Sequence, residues 1–238
     1  MKPRLNDLGQ PIGASLPNWQ PPPDPPRVPI QGRYCRLEPL DPVQHAASLF
    51  AANSADVTGS GWTYLPYGPF NSFEEYQDWL TANCLGNDPM FFAIIDLPKG
   101  QAVGVASYLR ITPGSGSIEV GHIHFSPLLK RSLAATEAMF LLMRRAFELG
   151  YRRYEWKCDS LNSASRTAAQ RLGMSFEGTF RQATVYKGRN RDTAWYSVID
   201  TDWPALKIGF EKWLAPDNFD SHGKQRMRLS ELTSTVLR

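Results

Sequence analysis

The sequence predicts a mixed α/β (α+β) domain in which helices flank a mostly antiparallel central sheet. Three observations support this fold class. The predicted elements follow one another in the order β-α-α-β-β-β-α-β-α-β-β. Three consecutive strands within 90–125 have no helix between them, whereas a doubly wound parallel sheet alternates strands with helices. Finally, 238 residues with 42% hydrophobic content are enough for one sizeable core and too few for two.

The first half of the chain combines strand and helix patterns. It is predicted to contain a strand at 34–40, helices at 42–53 and 73–84, and strands at 90–96, 102–111 and 118–125. Asp41 and Ser72 precede the two helices and are typical N-cap residues. The segments 98–100 and 113–116 are short and rich in turn residues, so the three strands that they join should form an antiparallel meander.

The second half begins with the longest helical pattern. It is predicted to contain a helix at 132–149, a strand at 154–158, a helix at 163–172, strands at 176–186 and 193–199, and a helix at 203–214. Gly150 and Gly173 follow the first two helices, at the position where glycine commonly ends a helix. The turn at 187–190 joins the last two strands as a closing hairpin.

Both ends of the chain differ from the domain, which is assigned to residues 32–214. Residues 1–31 form a proline-rich arm, whose run at 21–26 has few backbone donors and favours extended polyproline conformation. We expect an arm that lies on the surface or is partly disordered, and a partner-binding motif is the alternative. Residues 215–238 are predicted to be a tail, and the stretch from residue 219 onward is either a dimer arm or a frayed end.

Charge and composition exclude several function classes. The net charge of +3 comes from 26 basic and 23 acidic residues spread along the chain, which gives no case for nucleic acid as a partner. The three cysteines stand far apart, so we expect no metal and a reducing, cytoplasmic location. No stretch approaches the roughly 20 apolar residues of a membrane-spanning helix, so no membrane contact is expected.

The junction between the strand ending at Phe125 and the helix beginning near Ser132 is a candidate anion site. The first amides of a helix have no partner within the helix, and the helix dipole is positive there. Phosphate groups of nucleotide cofactors bind to such ends. Lys130 and Arg131 add positive charge beside it.

Several blocks of the sequence resemble one enzyme superfamily. The block 135–138 (Ala-Thr-Glu-Ala), followed by the helix ending at 145–151, closely resembles the central motif of the GNAT N-acetyltransferases. The later blocks look like the RimJ/RimL branch, which contains protein N-terminal acetyltransferases. These later blocks are Asn162-Ser163-Ala164-Ser165, Arg171-Leu172-Gly173-Met174, Phe176-Glu177-Gly178 and Arg181. Together the blocks cover residues 34–200 in the correct order.

The resemblance implies acetyl-CoA as the acyl donor and identifies residues that would bind it. In the family, a loop wraps the CoA pyrophosphate with backbone amides; here Lys130 replaces its Arg or Gln, and Leu133 replaces its first glycine. Asn162 matches a position that bonds the pantetheine arm, and Ser165 matches one near the CoA phosphates or the departing thiol. The other cofactor-binding residues implied in this way are His124, Phe125, Arg131, Ser132, Ala134, Ala135 and Thr136.

The resemblance also suggests catalytic groups. Glu119 matches an acidic position that some members use as a general base, directly or through water; a structural role is the alternative. Many members carry a tyrosine acid where this chain has Ala169, so Ser165 or water would protonate the thiolate. By strand alternation, His122 and His124 should share the face of Val120, opposite Glu119, either as a proton relay or as hydrogen-bonded wall residues.

Substrate recognition is assigned to the aromatic loop and the late hairpin, with packing as the alternative for both. The residues are Trp62, Tyr64, Tyr67 and His122, together with the hairpin around Tyr186, Arg191 and Asp192. The expected reaction is direct transfer from acetyl-CoA to an amine, either a protein N-terminus or a small molecule, without a metal.

Two other functions remain open, and so does a homodimer. Leu133 and Ala169 motivate a non-catalytic acyl-CoA-binding or regulatory protein. The proline-rich arm suggests a scaffold protein, which would bind its partners through this arm.

Overall fold

The computed structural model describes residues 4–237, so residues 1–3 of the predicted arm and residue 238 of the predicted tail lie outside the described part. The strands are β1 Arg4–Leu5, β2 Pro11–Ile12, β3 Ile30–Gln31, β4 Cys35–Pro39, β5 Met90–Asp96, β6 Gln101–Thr112, β7 Ser117–Phe125, β8 Arg153–Asp159, β9 Ser175–Tyr186 and β10 Arg189–Ile199. The helices are α1 Pro42–Asn53, α2 Phe73–Asn83, α3 Leu133–Glu148, α4 Ser163–Arg171, α5 Trp203–Leu214 and α6 Leu229–Thr233.

Eight of the strands form one sheet in the order β3-β4-β5-β6-β7-β8-β10-β9. Every neighbouring pair is antiparallel except β7 and β8, which are parallel. The predicted fold class, a mixed and mostly antiparallel sheet flanked by helices, is therefore confirmed. The parallel pair follows from the connection through α3, since strands joined by a hairpin would be antiparallel.

The two faces of the sheet carry separate hydrophobic clusters. On the α3 face, side chains of α3 and α5 such as Phe140 and Phe210 pack with Ile118 and Val120 of β7. On the α1 face, helices α1 and α2 cover β5 and β6, and Phe91 belongs to this cluster. Because the helices of the α1 face lie over β4 to β6, they leave the space in front of β7 and β8 to loops.

Local signals account for where the helices begin. The side chains of Asp41, Ser72, Ser132 and Asn162 each accept a hydrogen bond from a backbone N–H in the first turn of α1, α2, α3 and α4. The predicted helices and strands of the domain agree with the structure within two residues at their ends, except that β10 begins at residue 189 and not at 193. Strands β1, β2 and β3 and helix α6 were not predicted.

Glu137, in the block that carries the family resemblance, has a structural role. Its carboxylate is 5% exposed and accepts the backbone N–H groups of Arg33, Tyr34 and Cys35 at 2.8, 2.6 and 2.8 Å. A Cβ on Gly32 would lie 2.4 Å from this carboxylate, so only glycine fits there. The interaction fastens the start of β4 to the middle of α3.

Both ends of the described chain pack against the domain. Pro22 and Pro25 of the arm are buried, and the Tyr151 hydroxyl donates a hydrogen bond to the Pro23 carbonyl (3.2 Å). In the predicted tail, Leu229 and Thr233 are buried against α4 and α5. At these two positions the C-terminal segment is therefore packed against the domain of the same chain and is not frayed. Among residues 4–237, no helix has the length and apolar character needed to cross a membrane.

Candidate active site

A cleft opens where β7 and β8 separate. Their parallel pairing runs from Ser117↔Arg153 to Val120↔Trp156 and stops there, although β7 continues to Phe125 and β8 to Asp159. The β7 backbone groups beyond Val120 that point towards β8 therefore have no strand partner in β8. Such groups are available to a ligand.

A β-bulge in β7 changes which side chains face this cleft. The register with β6 shifts between Val105↔His124 and Ser107↔Gly121, and His122 has a left-handed φ of 50°. Because a bulge adds one residue, it reverses the alternation beyond it. The prediction that His122 and His124 share the face of Val120 is therefore wrong: both lie on the α1 face with Glu119, and Ile123 packs with Val120 on the α3 face.

Glu119 is buried and held between two cations. Its side chain lies 2.8 Å from Arg110 Nη1 and 2.8 Å from Lys157 Nζ. The same Lys157 contacts Glu155 at 2.8 Å, and its ammonium lies 3.7 Å from the centre of the Trp195 ring. Burial raises the pKa of Glu119, against the opposing effect of Lys157 and Arg110. This carboxylate therefore takes up a proton at higher pH than an exposed glutamate.

His122 lies in the cleft as an uncharged ring. Its Nδ1 lies 3.2 Å from the Tyr67 hydroxyl, and the ring packs against Phe91. Burial, aided by the charges of Arg110 and Arg191, lowers its pKa to about 4. At neutral pH the imidazole is neutral and can accept or donate a hydrogen bond.

His124 lies deeper, beneath the aromatic loop. Its ring stacks on Trp62 with the centroids 3.6 Å apart, and its Nε2 is buried without a hydrogen-bond partner among residues 4–237. Burial, followed by the charge of Lys130, lowers its pKa to about 4 against the opposing effect of Asp56. Gly61 passes so close to this ring that a Cβ there would lie 3.1 Å from Nε2. His124 is thus a wall residue that supports the loop.

The start of α3 has the features of an anion site. The Ser132 hydroxyl accepts the Ala135 N–H (3.0 Å), whereas the amides of Leu133 and Ala134 precede the first hydrogen bonds within the helix. The Leu133 side chain is half-buried and packs against the core, and its backbone is helical. Left-handed backbone occurs two residues earlier, at Arg131, with a φ of 62°. The glycine that the resemblance expects at 133 is therefore not required by the backbone conformation.

The other residues predicted to bind the cofactor differ in position. Lys130 is exposed at this helix start, whereas Phe125 at the end of β7 packs partly against the core. The Thr136 hydroxyl accepts a hydrogen bond from Arg171 (3.1 Å) and links α3 to α4. Thr136 is thus engaged within the protein.

The start of α4 lies at the end of β8. Asn162 caps the helix by accepting the Ser165 N–H (3.0 Å), as in the capping interpretation of this residue. The Ser165 hydroxyl accepts the Trp156 indole N–H (3.0 Å) and lies beside the Cys158 thiol. Ala169 is fully buried in the core, so this position supplies no proton donor. Glu119 and Ser165 therefore approach the cleft from opposite faces of the sheet.

The aromatic loop, residues 54–71, is fastened over the cleft. Trp62 and Tyr67 contact the two histidines, and the Tyr64 hydroxyl donates to the Leu161 carbonyl at the start of α4 (3.2 Å). The turn between β9 and β10 is bonded to the loop from the other side. These bonds run from Lys187 Nζ to the carbonyls of Trp62 (2.9 Å) and Gly68 (2.7 Å), and from Arg189 Nη2 to that of Thr63 (2.8 Å).

Two charged residues of the site were missed in the sequence, Arg110 and Lys157. Lys157 alternates on β8 with buried side chains, and this alternation shows only that it faces away from α3. Its ion pair depends on the neighbouring strand, whose register a single strand does not reveal. Arg110 is brought beside Glu119 by an irregularity in β6. Among residues 4–237, no group of three or more His, Cys, Asp or Glu side chains is arranged to hold a metal ion.

The chain is similar to known acetyltransferases in both sequence and fold. The acetyltransferase (GNAT) domain family matches residues 35–175. A GCN5-related N-acetyltransferase from Brucella melitensis is 49% identical, with a TM-score of 0.90 over 92% of this chain and 100% of that one. A GNAT-family protein from Chromobacterium violaceum is 43% identical, with a TM-score of 0.77 over 82% of this chain and 98% of that one.

A more distant likeness concerns the fold alone. RimL, a ribosomal L7/L12 alpha-N-protein acetyltransferase in complex with coenzyme A, is 22% identical, with a TM-score of 0.61 over 73% of this chain and 98% of that one. No curated protein matches the chain.

Proposed function

Because the chain belongs to the GNAT acetyltransferase family, we propose that it transfers the acetyl group of acetyl-CoA to an amine by direct attack in a ternary complex. The observation that carries this proposal is the separation of β7 from β8 beside the start of α3. The extended pantetheine arm of acetyl-CoA needs backbone partners along one strand, and its pyrophosphate needs an anion site. The unpaired backbone of β7 and the start of α3 offer these two features, joined by residues 126–132.

The residues along this path suit acetyl-CoA, which supplies an activated acetyl thioester when bound. The amides of Leu133 and Ala134, with Lys130 and Arg131, would hold the pyrophosphate. The unpaired backbone of β7 beyond Val120 would bond the pantetheine arm and donate to the thioester oxygen as negative charge develops there. Orientation in this cleft supplies much of the rate enhancement, because it replaces a bimolecular encounter.

Glu119 is the proposed acceptor of the proton that the amine must lose. Burial raises its pKa, which brings the carboxylate closer to the range of an efficient base. Since both its oxygens are engaged by Arg110 and Lys157, the proton would arrive through a water molecule. On the other face, the Ser165 hydroxyl accepts from Trp156 and is hydrogen-bonded to the Cys158 thiol, and it would turn from that thiol to donate its proton to the departing thiolate.

The acceptor is an amine of a protein N-terminus or of a small molecule. The likeness to RimL, whose name specifies a ribosomal protein N-terminus, supports the first class. The alternative is a non-catalytic acyl-CoA-binding or regulatory protein. The helical backbone of Leu133 weakens one of its two reasons, whereas the absence of a tyrosine at position 169 still supports it.

The experiment combines calorimetry with a thiol-release assay over a panel of amines. We expect acetyl-CoA to bind and at least one amine class to accelerate thiol release. Binding without release over a broad panel would favour the regulatory alternative, and absence of binding would exclude both functions.

A Glu119→Gln variant tests the proposed base. We expect kcat to fall about a hundredfold while acetyl-CoA affinity stays within about threefold. Glu155→Gln is the matched control, because Glu155 lies opposite Glu119 on β8 and contacts the same lysine, Lys157, but is also paired with Arg153; its kcat should stay within about threefold. Full turnover by Glu119→Gln would remove Glu119 from the mechanism.

A further inference from the structure

Arg110 is aimed at the cleft by a strained backbone. It has a φ of 47°, and the register between β6 and β7 shifts at this point. The Asp88 carboxylate holds this conformation by accepting the N–H groups of Arg110 and Ile111 at 2.8 and 3.1 Å. A left-handed conformation is strained for a residue other than glycine, so it needs such fixed partners. The result is that Arg110 reaches Glu119 on the α1 face while 60% of its side chain stays exposed.

Arg191 lies on β10, and its positive charge, like that of Arg110, acts on His122. It shares the face of Thr193, and its Nε donates to the Thr193 hydroxyl (3.1 Å). Its guanidinium lies 5.8 Å from the centre of the Tyr186 ring, which further restricts its position. The neighbouring β9 is irregular here, with Gln182 in a left-handed conformation. Both arginines are therefore positioned by irregular backbone and by fixed partners.

The two arginines, Arg110 and Arg191, leave an excess of positive charge at His122. The charged side chains that act on this ring are these two, and both are cationic. The Glu119 carboxylate on the same face is already paired with Arg110 and Lys157. The Asp159 carboxylate near the hairpin accepts the Tyr186 hydroxyl and the Leu161 N–H. Within residues 4–237, Arg191 forms no ion pair with a carboxylate, and neither do Lys187 and Arg189 at the adjoining turn.

We propose that the acceptor amine also carries a carboxylate, and that Arg110 and Arg191 bind this carboxylate beside His122. A guanidinium presents a planar fork of donors that matches a carboxylate, and two such forks from different strands fix its position. The bound carboxylate balances the excess charge and orients the amine towards the end of β7. Acceptors with several positive charges are repelled at this place. The proposal rests on the acetyltransferase function proposed above.

This acceptor chemistry has two sources, a free amino acid or a peptide with an acidic residue near its N-terminus. Both present an amine and a carboxylate within a few bonds of each other. The structural alternative is that Arg110 serves only to pair Glu119 and that Arg191 serves only to support the hairpin. This alternative predicts no preference between a carboxylate and its neutral amide.

The experiment compares matched pairs of acceptors in the thiol-release assay. Each amino acid is paired with its amide, and each peptide beginning with Asp is paired with the same peptide beginning with Asn. We expect kcat/KM to favour the carboxylate member by about tenfold or more, mainly through KM. The pair type with the larger ratio identifies the source. Equal rates within each pair, or a preference for the amides, would overturn the proposal.

Variants of Arg110 and Arg191 test whether these two residues cause the preference for a carboxylate. Arg191→Gln and Arg110→Gln should each reduce the carboxylate-to-amide ratio about tenfold. Arg181→Gln is the control, because Arg181 is exposed on the edge strand β9, and its ratio should stay within about twofold. Equal loss on both members of each pair in the Arg191→Gln variant would mean a merely structural role and would contradict the proposal.

Binding measurements distinguish this inference from the proposed function. Calorimetry measures N-acetylated amino acids and their amides against the protein saturated with CoA. Tighter binding of the carboxylate, lost in Arg191→Gln, would support the inference even if no amine turned over. Turnover of neutral amines combined with no carboxylate preference in binding would support the function and reject the inference.

Discussion

The two faces of the sheet each bury a glutamate, and they do so by different means. On the α3 face, Glu137 accepts three backbone N–H groups, which are neutral and fixed by the β3–β4 connection. On the α1 face, Glu119 lies between the side chains of Arg110 and Lys157. Fixed amides tie two elements together, whereas side-chain partners allow a carboxylate to change its protonation. The first arrangement stabilises the fold, and the second suits chemistry.

The largest expected effect comes from removing the fixed arrangement. Glu137→Ala leaves three N–H groups without their acceptor, and we expect the free energy of unfolding to fall by about 3–5 kcal/mol. Denaturant unfolding measures this loss. Glu148→Ala is the control on the same helix, because its ion pair with Arg144 is long (3.7 Å) and exposed, and it should cost less than about 0.5 kcal/mol. A loss below about 1 kcal/mol in Glu137→Ala would refute the structural role.

A second test measures how stability depends on pH, and it concerns His124 on the α1 face. The pKa of His124 is about 4 in the folded protein, compared with about 6.5 when unfolded. The unfolded chain therefore binds more protons between these values, so stability present above pH 6.5 is lost as the pH falls towards 4. His124→Phe keeps a ring against Trp62 and removes the titration.

At pH 5 this titration amounts to about 2 kcal/mol, and at pH 7 to almost nothing. We therefore expect the free energy of unfolding of His124→Phe to fall less between pH 7 and pH 5 than that of the unaltered protein, by about 2 kcal/mol. His222→Gln, at an exposed position, serves as the control. The same pH dependence in His124→Phe and the unaltered protein would show that this ring does not titrate as described.

The smallest expected effect tests whether the helix start at the cleft does more than begin a helix. Ser132→Ala removes the cap of α3 and should cost about 1 kcal/mol of stability. It should also weaken acetyl-CoA binding by about threefold or more, because the freed first turn no longer holds its amides in place. Ser72→Ala removes the equivalent cap of α2. Equal effects of both variants on acetyl-CoA affinity would place the pyrophosphate elsewhere.

Element positions could be predicted because their signals are local. Asp41, Ser72 and the glycines after α3 and α4 mark helix ends in the sequence itself. The bulge at His122 could not be predicted, because it depends on how β7 pairs with β6. Side chains alternate between faces along a regular strand, and this alternation breaks at His122, where β7 is irregular.

The partners of the charged residues could not be predicted from the sequence either. Glu137 was recognised only as part of a motif, since its three amides lie about a hundred residues earlier in the chain. The packing of the C-terminal segment depends on Gly173, where a Cβ would lie 2.3 Å from Leu206 and 3.1 Å from Thr233. Contacts of this kind are defined by tertiary structure, and local patterns do not contain them.

The bonds that fasten the aromatic loop have a consequence for how this protein can change. Lys187 and Arg189 hold the loop by the carbonyl oxygens of its main chain, which every amino acid provides. Replacement of a loop side chain therefore leaves these three bonds in place, although Trp62, Tyr64 and Tyr67 also fasten the loop through their own side chains. Substitutions in the loop can give new acceptor preferences while Lys187 and Arg189 still hold its main chain over the cleft. Protein engineers could therefore randomise side chains of the loop and leave Lys187 and Arg189 unchanged.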